Sequence, residues 1–215
     1  MFWVLVAVQE FIIEPGASDC APIDIAARAL REGGLVIFPT DTFYGLAADP
    51  RNTAAVERLF KVKRRSKDLA LPLIATDTAQ VKAVGTLTPL GRELAEQFWP
   101  GPLTLIVEAT SSVDPLVLGF GKSVAVRVPN HTVACALAGA FGYPLTATSA
   151  NYSGNLAATA ANEVVDSFKL DVDVLLDAGR TPGGMASTIV DVRGTEPILV
   201  RPGSVPWGRV LQSLA

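Results

Sequence analysis

Residues 33–46 read Gly-Gly-Leu-Val-Ile-Phe-Pro-Thr-Asp-Thr-Phe-Tyr-Gly-Leu. Leu35 to Phe38 is a short apolar run of the kind that forms a buried strand, and Pro39 stops it and opens a polar loop. Just upstream, Ile23, Ala26, Ala27 and Leu30 fall at i, i+3, i+4 and i+7, which is one face of a helix. Gly33 and Gly34 end that helix, because glycine adopts the left-handed geometry of a C-cap without a steric cost. Helix, glycine turn, buried strand and polar loop make one α/β unit.

The alternation continues along the chain. A helix is predicted from about Thr53 to Lys63, capped by Asn52 or Thr53, with Val56, Leu59 and Phe60 on its inner face. Another begins at Thr88-Pro89, a cap followed by proline at the first helical position, and Pro100-Gly101 breaks it. Thr132–Ala140 and Ala160–Phe168 also read as helices. Strands are predicted at Leu103–Glu108, Ser123–Val128, Leu145–Thr148, Val172–Leu176, Thr188–Val192 and Ile198–Val200. In Ser123–Val128 the three valines share one face, so Arg127 points to the other. Met1–Ile13 is apolar but interrupted by Gln9 and Glu10, and Val4–Val8 reads as a strand or as a tail. The expected fold class is α/β (α+β-like): one domain, a twisted mixed β-sheet flanked by helices.

Composition narrows the function. The 215 residues are 49% apolar with a formal net charge of −3, enough for a substantial core and against a broad basic surface for nucleic acid. Only two cysteines, Cys20 and Cys135, are present, not as a C-x-x-C pair, and one histidine, His131, so neither a zinc site nor a multi-histidine metal centre is expected. The N-terminus lacks a basic n-region and is too short to span a bilayer, so a cytoplasmic protein with no membrane association is expected. No P-loop G-x-x-x-x-G-K-[ST] and no G-x-G-x-x-G occur. Any nucleotide must be held by scattered arginines, hydroxyls and backbone groups.

Several polar segments carry chemistry. Thr40-Asp41-Thr42-Phe43-Tyr44 packs two hydroxyls, a carboxylate and a phenol into five positions, suited either to gripping a small zwitterion or to closing a turn. Lys61-Val62-Lys63-Arg64-Arg65 is either a solvated, dipole-complementing helix end or a pair, Lys63 and Arg65, that clasps a carboxylate or phosphate. Ser149 and Asn151, at a strand end, either hold phosphate or ribose or form an Asn-Ser turn with Gly154. Arg127 and Arg201 stand at strand ends, where an arginine suits anion binding or an ordinary surface turn.

Taken together and in order, Pro-Thr-Asp-Thr-Phe-Tyr-Gly-Leu (39–46), Lys63-x-Arg65, Trp-Pro-Gly-Pro-Leu-Thr (99–104), Arg127-x-Pro129-x-His131, Thr-Ser-Ala-Asn-x-Ser-Gly (148–154), Ser187-Thr188-x-x-Asp191 and Arg201-Pro-Gly closely resemble the YrdC-like family of threonylcarbamoyl-AMP synthases. The resemblance runs from about Ile23 to Ser204. It implies residues 21–205 as the synthase domain, 1–20 as an N-terminal extension or edge strand and 206–215 as a C-terminal tail. It also implies a concave basic cleft in which L-threonine, bicarbonate and ATP give L-threonylcarbamoyl-AMP and pyrophosphate. A downstream tRNA threonylcarbamoyl-transferase complex would then modify an adenosine beside the anticodon.

The resemblance further implies residue roles. Lys63 and Arg65 would be catalytic, Thr40, Tyr44 and Ser187 would contact threonine, and Arg127, Ser149, Asn151 and Arg201 would hold the nucleotide. Mg2+ would be bound chiefly through ATP. Ser66, Leu69 and Ala70 stand where the family often has proline and a Lys-Pro, with Lys67 as the substitute charge. Weak RNA contact is a further expected interaction; two other readings of the same cleft are an RNA-binding protein without turnover and a catalytically degenerate nucleotide-binding paralogue. A carbamoyl-transfer domain of the hydrogenase-maturation type is disfavoured, because its zinc-binding cysteines are missing.

Overall fold

A computed structural model of the chain describes residues 8–14, 20–118, 121–168 and 171–215. In chain order the elements are β1 (Gln9–Ile12), α1 (Ala21–Arg31), β2 (Val36–Pro39), β3 (Tyr44–Ala47), α2 (Thr53–Lys63), β4 (Leu73–Ile74), α3 (Thr78–Val81), β5 (Gly85–Thr86), α4 (Pro89–Phe98), β6 (Leu103–Ala109), α5 (Pro115–Leu118), β7 (Ser123–Arg127), α6 (Thr132–Phe141), β8 (Leu145–Thr146), β9 (Thr148–Ser149), α7 (Ala161–Phe168), β10 (Val174–Asp177), β11 (Thr188–Asp191), β12 (Ile198–Arg201) and α8 (Trp207–Gln212). Helices flank twisted mixed sheets, the architecture expected from the alternation.

The strands divide between two sheets. One has the order β1-β10-β2-β3-β9, and the other β12-β11-β6-β7-β4-β8, with β5 on β6. The chain passes from one to the other between β8 and β9 through Ala147. Backbone bonds close that seam: Thr146 N–H donates to Ala48 O (3.2 Å) and Ala147 N–H to Pro72 O (2.8 Å). The single strand expected at Leu145–Thr148 is therefore two short ones, each in a different sheet. Of the strand or tail expected at Val4–Val8, all but Val8 lies outside the described residues. The N-terminal strand sits at Gln9–Ile12, parallel to β10 at a sheet edge.

Local chemistry sets the helix ends. Asn52 caps α2 by accepting from Ala55 N–H, and Thr88 caps α4 by accepting from Gly91 N–H. The α1 face of Ile23, Ala26, Ala27 and Leu30 packs with Val133, Ala134, Leu137 and Ala138 of α6 over β2 and β10. Small alanines on both helices allow a close approach. Burying the Leu30 side chain alone contributes roughly 1.5–3 kcal/mol. The C-terminal tail, residues 206–215, carries α8, whose Val210 is fully buried in the main core.

The segment read as a polar loop after Pro39 is instead a tight turn, Thr40–Phe43, followed by β3, which returns antiparallel to β2. Gly45 lies opposite Phe38, whose ring comes within 3.0 Å of the place a Cβ would occupy. Gly45 leaves room for the aromatic ring that lies across it.

Candidate active site

A cavity of about 340 Å3 opens between the Thr40–Phe43 turn and one face of the second sheet. Alternation along the strands builds it. Thr104 and Ile106 of β6, Ala125 and Arg127 of β7 and Ile189 of β11 all line it, each pair two residues apart or register-matched. The floor is therefore apolar, and the polar groups stand at its edges.

Arg127 organises one wall. Its Nη1 lies 2.9 Å from Asp41 Oδ1, with both side chains nearly buried at 9% and 10% exposure. The ionic contact is close, but the N–H is not aimed at the oxygen, and no donor among the described residues is aligned on either Asp41 oxygen. The pair is a close, nearly buried ion pair. The Arg127 Nη2 donates to the hydroxyls of Thr40 and Thr42, at 3.3 Å each. Burial pushes the guanidinium below its usual range, Asp41 opposes that shift, and Arg201 reinforces it. His131, beyond Asp41, is also pushed down by burial, with Asp41 acting the other way, and its Nδ1 is buried without a hydrogen-bond partner among the described residues.

Tyr44 lines the cavity but is fully buried, and its hydroxyl is engaged by other groups. The hydroxyl lies 2.6 Å from Gly179 O and 3.0 Å from Asp177 Oδ1. Burial first, then the Asp177 charge, raise the phenol well above its ordinary value, so it stays protonated. At the opposite edge, Arg201 Nη2 donates to Ser187 O (2.7 Å) and approaches Ser187 Oγ (3.2 Å), which in turn lies 2.8 Å from Thr104 Oγ1. Gly203 makes this packing feasible: a Cβ there would stand 2.2 Å from Ala186 O and 2.5 Å from the backbone of Ser187 and Thr188.

Lys63 does not stand on the cavity wall. It is 2% exposed, and its Nζ donates to Ser149 O, to Asn151 O (2.8 Å) and to Asn151 Oδ1 (3.3 Å). Ser153 N–H donates back to Lys63 O (2.9 Å). Lys63 thus ties the end of α2 to the 149–153 loop, whose Ser149 does line the cavity. Burial, and secondarily Arg65, push its pKa down to about 7. An anion arriving beside Arg65 favours the ammonium form. Binding ATP or pyrophosphate near pH 8 should therefore take up a proton, and affinity should fall as pH rises above about 7. Calorimetry in two buffers of different ionisation enthalpy reads this directly, and Lys63→Met should abolish the uptake. Equal binding enthalpies in both buffers would show that the lysine is already charged.

Of the nine residues expected at the site, Thr40, Tyr44, Arg65, Arg127, Ser149, Ser187 and Arg201 line the cavity, and Lys63 and Asn151 stand behind it as a clamp. Asn151 donates its amide to Asn155 O (2.6 Å), and its carbonyl accepts from Ser149 Oγ (2.5 Å). Thr42, Thr104 and Thr148 also line the cavity; each lies in a motif quoted from the sequence but was assigned no role there. Period-2 alternation from Ile106 back to Thr104 is the signal that finds the second of these. Neither Arg65 nor Arg201 has a carboxylate in salt-bridge contact among the described residues, so two guanidiniums face the cavity uncompensated.

An α/β fold whose cavity is edged by hydroxyls and uncompensated arginines has the donor set that suits small anions. The Sua5/YciO/YrdC family model, described as telomere recombination, matches residues 28–203, and the chain belongs to that family. It is 39% identical over 185 residues to a threonylcarbamoyl-AMP synthase of Pyrococcus abyssi, covering 86% of this chain but 54% of that protein. The chain thus spans about half the length of that relative. It is 37% identical to a threonylcarbamoyl-AMP synthase of Vibrio vulnificus over 80% of this chain and 94% of that one. In structure it resembles P. abyssi Sua5 complexed with L-threonine, with a TM-score of 0.91 and 34% identity over 97% of this chain and 61% of that one. Among the described residues no helix is long and apolar enough to cross a membrane.

Proposed function

We propose that this chain forms L-threonylcarbamoyl-AMP and pyrophosphate from L-threonine, bicarbonate and ATP. The observation that carries the reading is the set of uncompensated guanidiniums around the cavity, in a chain 80% of which matches 94% of a curated synthase. The threonine ammonium gives up a proton and bicarbonate gives up hydroxide to become carbon dioxide, the two leaving as water; the amine then adds to the carbon dioxide and releases a second proton to solvent as the carbamate forms. A carbamate oxygen attacks the α-phosphorus of ATP, and pyrophosphate leaves. Two anions must meet, and the carbamate is labile in water. Charge neutralisation, positioning and exclusion of water are therefore the protein's main tasks.

The residues divide the work by where they stand. Arg65 and Arg201 offer forked donors to carboxylate or phosphate oxygens. Ser149, held by the Lys63 clamp, and Arg127 face the nucleotide. The Tyr44 ring, Thr40 and Ser187 shape the threonine subsite. Among the described residues no group of three or more Asp, Glu, His or Cys side chains is arranged as a metal cage, and Asp41 is turned to Arg127. These residues fit a magnesium ion carried on ATP oxygens rather than a resident one; such an ion supplies charge neutralisation to the phosphates. The product would pass to an enzyme that transfers the threonylcarbamoyl group to tRNA.

Purified protein should release pyrophosphate from ATP only when threonine and bicarbonate are both present, with a product of the mass of threonylcarbamoyl-AMP. Release that ignores either co-substrate, or none from folded protein, would overturn the reading.

A further inference from the structure

The end of α2 is a left-handed turn made without glycine. Arg64 N–H donates to Lys61 O (3.1 Å) and Arg65 N–H donates to Phe60 O (3.0 Å), the two bonds that close a helix through one left-handed residue. Glycine usually fills that place, because a side chain there strains the backbone. Arg64 fills it at φ 51°, and among the described residues no other residue except glycine has a positive φ. Such strain persists where the surrounding structure holds it, and here the side chain supplies the hold. The guanidinium lies over the Tyr152 ring, with Cζ 4.4 Å from the ring centroid.

Tyr152 stands within the 149–155 loop, which Lys63 grips through Ser149 O, Asn151 O and Asn151 Oδ1. Three consecutive residues thus leave the helix end in three directions: Lys63 into the carbonyl oxygens of the loop, Arg64 across its aromatic ring, and Arg65 to the cavity. The Lys63 contacts are buried, whereas Arg64 is exposed and Tyr152 half-buried, so the stack braces the loop from its solvent side. Arg64 and Tyr152 also fill the open positions of two motifs, the x of Lys63-x-Arg65 and the x of Thr-Ser-Ala-Asn-x-Ser-Gly (148–154). Neither side chain lines the cavity, but Ser149 of the same loop does. We propose that Arg64 and Tyr152 are positioning residues that act as one clasp, holding the 149–155 loop so that the Ser149 hydroxyl faces the nucleotide. The identity of that ligand rests on the synthase reading.

A clasp on an exposed face sets an equilibrium between a loop in place and a loop displaced. Apparent affinity falls with the fraction in place. An exposed cation–π contact shifts that fraction by about two- to fivefold. Saturating nucleotide draws the loop back, so the KM for ATP moves and kcat stays.

The test uses three variants of the full chain. Arg64→Asn accepts the left-handed backbone but carries no cation. Tyr152→Leu removes the ring and leaves the end of α2 untouched, and Tyr152→Phe keeps the ring. ATP binding is read by calorimetry, and KM and kcat by steady-state pyrophosphate release. Arg64→Asn and Tyr152→Leu should each weaken ATP binding and raise its KM by about two- to fivefold. The kcat at saturating ATP and the KM for L-threonine should stay within about twofold of wild type, and Tyr152→Phe should bind ATP like wild type. The double variant should lose no more than the larger single loss, because the two residues form one contact. The melting temperature of Arg64→Asn should stay close to wild type, since relief of backbone strain offsets the lost stack.

Tyr152→Leu binding ATP as tightly as wild type would overturn the clasp, and so would losses that add. A loss in Arg64→Asn alone means that Arg64 meets the ligand itself, which also overturns it. Should Tyr152→Leu fail to fold, Arg64→Lys decides: it keeps the cation and should recover the affinity lost in Arg64→Asn, and no recovery counts against the stack. If wild type binds ATP but makes no product, the synthase reading falls and ATP binding still judges the clasp; if it binds no ATP, both fall.

Discussion

Replacing Arg65 by alanine is expected to cut pyrophosphate formation by roughly 10²-fold, the loss that follows removal of one preorganised donor at a reacting anion, while leaving the melting temperature close to wild type. The two halves of that expectation come from the same observations. Arg65 lines the cavity and is half-buried, and among the described residues its one side-chain hydrogen bond is from Nη2 to Ala70 O at 3.0 Å. Its Nε is buried with no partner, and no carboxylate pairs with it among the described residues. Losing one exposed hydrogen bond costs about 0.5–1.5 kcal/mol, and removing an uncompensated, partly desolvated charge offsets some of that. Folding energy therefore changes little, while the cavity loses a forked cation. Arg65→Lys should recover only part of the rate, because a point charge cannot reproduce two parallel donors. Steady-state pyrophosphate release together with thermal melting reads both halves. Near-normal turnover in Arg65→Ala would remove Arg65 from the reaction.

How much of this was legible from residues alone varied with the kind of signal. Helix ends written in local chemistry were readable: Asn52 and Thr88 cap the helices that their positions predict. The long strands were readable from apolar runs, and Arg127 falls on the face opposite its three valines, as alternation requires. Short strands were not. Leu73–Ile74 and Tyr44–Ala47 are set by pairing with distant partners, and a window of two to four residues holds no period. The division into two sheets turns on Ala147, where hydrogen bonds to Ala48 and Pro72 decide the path. The site shows the same boundary. Residue types at strand ends located the cationic edge, but nothing local separates Lys63, engaged by carbonyl oxygens, from Arg65, two positions later and facing the cavity. That distinction needs the handedness of the turn between them: Arg64 is left-handed at φ 51°, which carries Arg65 off the helix path.

The second large effect falls on stability. Arg127→Met is expected to destabilise the fold by about 3–5 kcal/mol, the range for removing one partner of a buried ion pair. Asp41 would be left at 10% exposure, with no aligned donor on either oxygen and no compensating charge. The hydroxyls of Thr40 and Thr42 would lose their shared guanidinium donor as well. If the uncompensated carboxylate is the main cost, Asp41→Asn in the same chain should return a large part of the loss, because a neutral amide is far cheaper to bury than a charge. Urea denaturation of the single and double variants measures this, provided the slope with denaturant is unchanged, so that the midpoints report stability. Activity should behave differently: the double variant regains fold but not turnover, since the donor to the 40–43 hydroxyls is still missing. Recovery of stability without recovery of rate separates the two duties of Arg127, holding the turn and furnishing its charge to the cavity. A double variant as unstable as Arg127→Met would mean instead that packing of the long arginine stem, not its pairing with Asp41, holds this wall together.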